Sequence, residues 1–135
     1  MAVLVDTGIL YALADADDAW HGRARAWVER QADLLIVPVT VLPEVAYLLH
    51  TRLGAAPELA FLQSVAAGEL EIEALRREDL DRCCEVLQRY PEVGFVDASI
   101  VAVAERLKVR GVATTDRRHF NKVIPKHALR FELLP

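Results

Sequence analysis

The sequence predicts an α/β fold: one domain, residues 1–135, with a mainly parallel sheet flanked by helices on both faces. Three observations predict it. The chain opens on an unbroken apolar run, Ala2–Val5 (AVLV), of the kind carried by strands buried on both faces. Short apolar runs then alternate with longer helical patterns, which is how strand–helix units read in sequence. The length of 135 residues, 53 % of them hydrophobic, supplies a core for one domain and little room for a second.

Taken in order, strand Ala2–Val5 ends at Asp6, and Ile9–Ala14 is a short helix. The polar turn Asp15, Asp17, Asp18 follows, and Asp18 caps a helix over Ala19–Gln31 with Trp20, Ala24, Trp27 and Val28 on one face. Leu34–Val39 is the second strand, with Pro38 tolerated only near its end. Thr40 reads as the N-cap of helix Val41–His50, where Pro43 falls in the first turn and Glu44 follows it. Leu53-Gly54 closes that helix, and Pro57–Ala67 forms another, ended by Gly68. Leu70–Leu75 alternates apolar and acidic residues, as an edge strand with one wet face does. Glu78–Tyr90 is amphipathic, with Leu80, Cys83, Cys84 and Leu87 at helical spacing, and Pro91 stops it. Val93–Val96 is a short apolar approach to a helix over Asp97–Lys108. Gly111 ends that helix, Val112–Thr114 is a strand, and Phe131–Leu134 is a last edge strand.

Composition excludes several classes. The longest apolar runs are far short of the ~20 residues a membrane helix needs, and no leader pattern is visible. Cys83 and Cys84, the only cysteines, are adjacent and suit neither a disulfide framework nor a metal site, which points to the reducing cytoplasm. A Gly-rich phosphate loop and a G-x-S-x-G elbow are both missing. The net charge is −4, but from Arg106 to Arg130 eight basic residues face the single acid Asp116. Such asymmetry fits a side turned toward a polyanion, or a merely solvated surface.

Four acids stand at equivalent places: Asp6 after the first strand, Glu44 in the first turn after the second, Asp97 opening a helix, and Asp116 after the strand Val112–Thr114. Singly, Asp6, Asp97 and Asp116 read as helix caps or turn residues. Glu44 lies among Val41, Leu42, Val45 and Leu48, where an ionised carboxylate needs a partner. Jointly, four carboxylates gathered at the carboxyl ends of parallel strands would raise one another's pKa values, and such a cluster suits a hard divalent cation such as Mg²⁺ or Mn²⁺. The four histidines are scattered and offer no competing ligand pair. A carboxylate–metal site beside basic residues suits phosphodiester hydrolysis, with Arg117 and Arg118 placed to hold flanking phosphates.

The stretches VDTGILYAL, VTVLPEVAYLL, FVDASIVAVAERL and ATTDRRHF resemble, in this order, the four motif regions of PIN-domain ribonucleases, and the short length resembles the VapC toxins of toxin–antitoxin pairs. The resemblance implies a Rossmann-like, five-stranded parallel sheet with the first strand central. It also implies Mg²⁺- or Mn²⁺-dependent endoribonuclease activity, homodimerisation, and inhibition by a VapB-type antitoxin. The family's four acids fall on Asp6, Glu44, Asp97 and Asp116. The first and third imply direct metal ligands, with Glu44 and Asp116 acting through water or from behind to complete the cage. The hydroxyl residue of the family's T-x-D arrangement falls on Thr114, which orients Asp116 or a water. An antitoxin would cover the acidic crevice and present an Arg or Lys to it. Two rivals remain: a PIN-like module that binds RNA or protein without cutting, and a phosphatase or phospho-receiver domain. A receiver would want adjacent acids after the first strand, where this chain has Asp6-Thr7-Gly8.

Overall fold

β1 (Ala2–Val5) is the middle strand of the sheet, and its apolar run is buried on both faces because strands flank it on either side and helices cover it above and below. The computed structural model describes residues 1–135. The elements that follow are α1 (Thr7–Ala14), α2 (His21–Arg30), β2 (Leu34–Pro38), α3 (Val41–Leu53), α4 (Ala55–Ala66), β3 (Glu71–Glu73), α5 (Arg77–Arg89), α6 (Phe95–Leu107), β4 (Gly111–Ala113), α7 (Arg118–Lys122) and β5 (Glu132–Leu134). The strand order is β3-β2-β1-β4-β5 and every neighbouring pair is parallel, with Leu4 in register with Ile36 on one side and Val112 on the other. The chain runs outward from β1 to β3, then returns to start again at β4. β1 and β4 therefore flank the point where strand order reverses, and ligands bind at the carboxyl ends of such a pair. Helices α1 to α4 pack on one another, and α5, α6 and α7 form a second group. Right-handed crossovers place these groups on opposite faces of the sheet.

α6 is the spine of the second group. Every residue from Ala98 to Ala104 is buried, so the middle of this helix is covered all round, with Ser99 its one polar side chain there. It starts two residues before Asp97: Gly94, at φ +80°, supplies the turn into it, and Phe95 and Val96 are its first residues rather than an extended approach. The helix ends at Lys108 in the left-handed conformation, and Gly111 belongs to β4 instead of terminating the helix.

Other boundaries shift for local reasons. Asp18 accepts from the Trp20 N–H (2.8 Å), making a turn, so α2 begins only at His21. Thr40 precedes α3 with helical backbone angles and caps nothing. Its hydroxyl meets Ser99 Oγ at 2.6 Å, which ties the start of α3 to α6 across the sheet edge. On α5 the buried face is Asp79, Cys83 and Val86, leaving Leu80 and Cys84 exposed. That rotation brings Asp79 to Arg106 of α6, which donates to both its carboxylate oxygens (3.0 and 3.1 Å) and to Glu73 of β3 (2.9 Å).

Arg106 therefore fixes the helix that carries Asp97 against α5 and β3. Asp79 is 2 % exposed and Arg106 11 %, so Arg106→Met leaves a buried carboxylate without its cation. We expect a loss of about 3 kcal/mol in urea denaturation. An unchanged midpoint would show that the ion pair does not hold α6 in place.

Candidate active site

The last residues of β1 and β4 set the site. The Asp6 N–H donates to the Ala113 carbonyl (2.9 Å), so the strand pairing extends to the base of the crevice and fixes where the Asp6 side chain leaves the backbone. Asp6 also caps α1: Oδ1 accepts from the Thr7 N–H at 2.7 Å. Oδ2 accepts from the hydroxyl of Thr114, a side chain with 0 % exposure. That hydroxyl in turn accepts from the Asp116 N–H at 3.1 Å. Thr114 thus orients Asp6 and the Asp116 backbone together.

Gly8 lets this arrangement close. A Cβ there would sit 2.1 Å from Thr115 Oγ1, inside van der Waals contact, so a side chain would force the Thr115 side chain out of its place.

Asp6, Glu44, Asp97 and Asp116 line one crevice of about 410 Å³, together with Thr7, Gly8, Leu48, Val93–Val96 and Thr115. Asp6 and Asp116 come from strand ends, Glu44 from α3 and Asp97 from α6, so both helical layers contribute. Glu44 is exposed to water, so it does not need the partner its apolar neighbours in sequence called for, and no ion pair or side-chain hydrogen bond reaches it; Asp6 is held by neutral donors only. Burial, reinforced by the negative charge of Asp97, pushes the Asp6 carboxyl up to about 7. Burial likewise raises Asp97, against the lowering effect of His119. No three carboxylates or imidazoles form a ready-made metal cage, so the completed cage expected from the four acids is not preformed. The donor set still fits a hard cation: two desolvated carboxylates, of which Asp6 has no protein counter-charge, at a site open enough for water, suit an ion that keeps much of its hydration.

Two residues outside the acid set matter. His119 of α7 approaches Asp97 Oδ2 through Nδ1 at 2.5 Å, a partner that spacing could not reveal because 22 residues separate them. The basic face is also smaller than its composition implies. Arg106 is paired with Asp79 and Glu73, Lys122 with Glu92, and Lys126 with Glu85. Arg118 is exposed and lies 3.5 Å from Asp116. Arg117 turns away from the crevice, donating to the Pro135 carbonyl and facing the Trp20 ring. With Arg110 and Arg130, neither of which pairs with an acid, it lines a separate groove of about 470 Å³ beside β5.

A parallel sheet of this order with four acids at its reversal point defines a Rossmann-like α/β scaffold with an acidic crevice. The PIN domain family model matches residues 3–124. Ribonuclease VapC26 of Mycobacterium tuberculosis is 32 % identical over 98 % of this chain and 100 % of its own length. The chain therefore belongs to the PIN-domain family. Among solved structures, Mycobacterium tuberculosis VapC20, described as a sarcin–ricin loop cleaving toxin, superposes with a TM-score of 0.81 at 26 % identity, covering 87 % of this chain and 92 % of that one. A toxin–antitoxin complex from Klebsiella pneumoniae shares the fold, with a TM-score of 0.69 at 19 % identity over 90 % of this chain and 92 % of that one. No helix is long and apolar enough to cross a membrane.

The raised Asp6 pKa carries a stability signature. Between its unfolded value, 3.8, and about 7 the folded state holds a proton that the unfolded chain has lost, so stability falls as pH rises through that window. Metal-free wild-type protein should lose up to about 4 kcal/mol relative to Asp6→Asn between pH 4 and pH 8. Parallel pH profiles of the two melting curves would show that Asp6 is not destabilised by its surroundings.

Proposed function

We propose that this chain, as a single PIN domain over residues 1–135, is a divalent-metal-dependent endoribonuclease and the toxin of a type II toxin–antitoxin pair. Mg²⁺ is the ion we assign, with Mn²⁺ able to substitute. The observation that carries the reading is the convergence of Asp6, Glu44, Asp97 and Asp116 on one crevice, with Asp6 buried and lacking any protein cation. The kinship with a VapC ribonuclease over the whole chain supports RNA as the substrate.

In this reading Asp6 and Asp97 hold the ion directly, and Glu44 and Asp116 act through water. When bound, the ion lowers the pKa of a water and offsets charge on the transferring phosphoryl group. The protein's own part is positional. Thr114 and the Thr7 N–H fix both oxygens of Asp6, and α6 delivers Asp97 from the opposite layer. Arg118, at the crevice rim, and the groove of Arg110, Arg117 and Arg130 hold phosphates on either side of the scissile one. The same reading assigns a VapB-type antitoxin that covers the crevice, a homodimer, and a cytoplasmic site of action. The toxin–antitoxin complexes among the fold's neighbours support the antitoxin partner. For the homodimer, Tyr47, Leu59 and Leu62 offer exposed apolar side chains.

Cleavage of sarcin–ricin loop RNA and of a structured RNA pool should require Mg²⁺ or Mn²⁺ and vanish with EDTA. Asp97→Asn should cut no faster than the EDTA control while keeping the wild-type melting temperature. Retained cutting by Asp97→Asn would remove it from the site, and metal-independent RNA retention with no cutting would favour a binding module instead. The double variant Arg110→Ala, Arg130→Ala should bind single-stranded RNA with a shallower salt dependence, by about 0.7 log units per log unit of salt for each arginine. An unchanged slope would mean that RNA does not lie in the β5 groove.

A further inference from the structure

We propose that His119 is a positioning residue for Asp97: its Nδ1–H holds one carboxylate oxygen so that the other is presented to the divalent cation. This deepens the nuclease reading above and rests on Asp97 being a metal ligand.

The geometry singles out an indirect role. His119 Nδ1 lies 2.5 Å from Asp97 Oδ2, and both side chains are about four-fifths buried. No other hydrogen bond reaches the Asp97 carboxylate, so Oδ1 stays free of protein partners. His119 is not among the residues that line the crevice. It stands behind Asp97 and reaches the chemistry only through it. A carboxylate held by one oxygen loses rotational freedom about its terminal torsion, which a lone Asp side chain keeps broad. A ligand that is already oriented gives up less entropy on binding, and partners of this kind are worth about ten- to a hundredfold in metal affinity.

The histidine is itself placed by the site. Asp116 Oδ1 accepts from the Arg118 N–H at 3.2 Å, starting α7, and one residue later His119 turns toward α6. The fourth acid thus sets the helix that orients the third. Phe120, 2 % exposed, anchors the same turn in the core against Phe131, so the imidazole is carried on a packed segment.

The test is Mn²⁺ binding to RNA-free protein, followed by titration calorimetry or electron paramagnetic resonance. It compares wild type, Asp97→Asn, His119→Ala and His119→Asn, with melting temperatures taken alongside. Asparagine places an amide N–H close to where Nδ1–H stands. Asp97→Asn should abolish the tight site. His119→Ala should weaken Mn²⁺ binding about tenfold, and His119→Asn should recover most of that loss. Unchanged affinity in His119→Ala overturns the positioning role. Equal weakening in both His119 variants, with a lowered melting temperature, reduces the histidine to a support of α7 and also overturns it. Unchanged Mn²⁺ affinity in Asp97→Asn refutes the metal assignment itself, a failure separable from that of His119.

Discussion

Everything at the carboxyl edge of the sheet is shaped by the burial of Asp6 and Asp97 in a crevice that Glu44 and Asp116 also line. Burial disfavours an ionised carboxylate, and neighbouring negative charge adds to the cost unless something opposes it. Asp6 receives no cation. It is held by the N-terminal N–H of α1 and by a buried hydroxyl, and it stays close to protonation at neutral pH. Asp97 receives an imidazole, and Asp116 is occupied by the first turn of α7 and by the Arg118 guanidinium. Glu44 has no protein partner and is exposed to water. The folded chain tolerates the buried, cation-free Asp6 because the surrounding core offsets its cost, with Leu4, Val5, Ile100 and Val101 almost wholly removed from water.

The hydrogen bonds that restrain the acids form one connected path. Thr114 links Asp6 to the Asp116 backbone, Asp116 starts α7, and α7 sets His119 on Asp97. On the other side Thr40 donates to Ser99 Oγ, whose own proton goes to the Val96 carbonyl, so the helix bearing Glu44 is pinned to the helix bearing Asp97. Buried networks of this kind specify geometry more than they add stability, because each link is replaceable in energy but not in position. The two covering layers differ accordingly. α5 and α6 are locked by Arg106 and by Arg82, which bonds Glu105 twice, whereas α4 buries no residue and flanks an apolar groove lined by Trp27, Phe61 and Leu70.

The sequence made the architecture readable where a residue's neighbours in the chain decide its state. The unbroken run at Ala2–Val5, the alternation around Ile72 and the stop at Gly54 are local facts, and all three elements stand where periodicity places them. The parallel strand order needed the resemblance, since β1 meets β4 across more than a hundred residues. Local reasoning failed where distant partners won. Thr40 gives up its cap for Ser99, 59 residues away, and α5 turns Leu80 and Cys84 outward because Asp79 must meet Arg106. The same cause shrank the basic face: Arg106, Lys122 and Lys126 are each spent on an acid 27 to 41 residues distant. His119 escaped notice because a search for paired histidines looks along one helix, and its partner lies on another.

Asp116 occupies a different position from the other acids, and this bears on how the site divides its labour. Its Oδ1 is committed to the Arg118 N–H and its backbone to Thr114, so only the second oxygen remains for water in the crevice. Removing its charge would therefore act twice, once on the field inside the crevice and once on the start of a helix of only five residues, too short to persist without its tertiary anchors. Asp97 lies in the first turn of a packed thirteen-residue helix whose entry turn is supplied by Gly94, with no side-chain cap from Asp97. The third acid can change without unmaking its support, whereas the fourth is part of the support. An amide at Asp97 changes the charge and the His119 contact at one point, and a loss at Asp116 mixes charge with the orientation that α7 gives to Asp97 through His119.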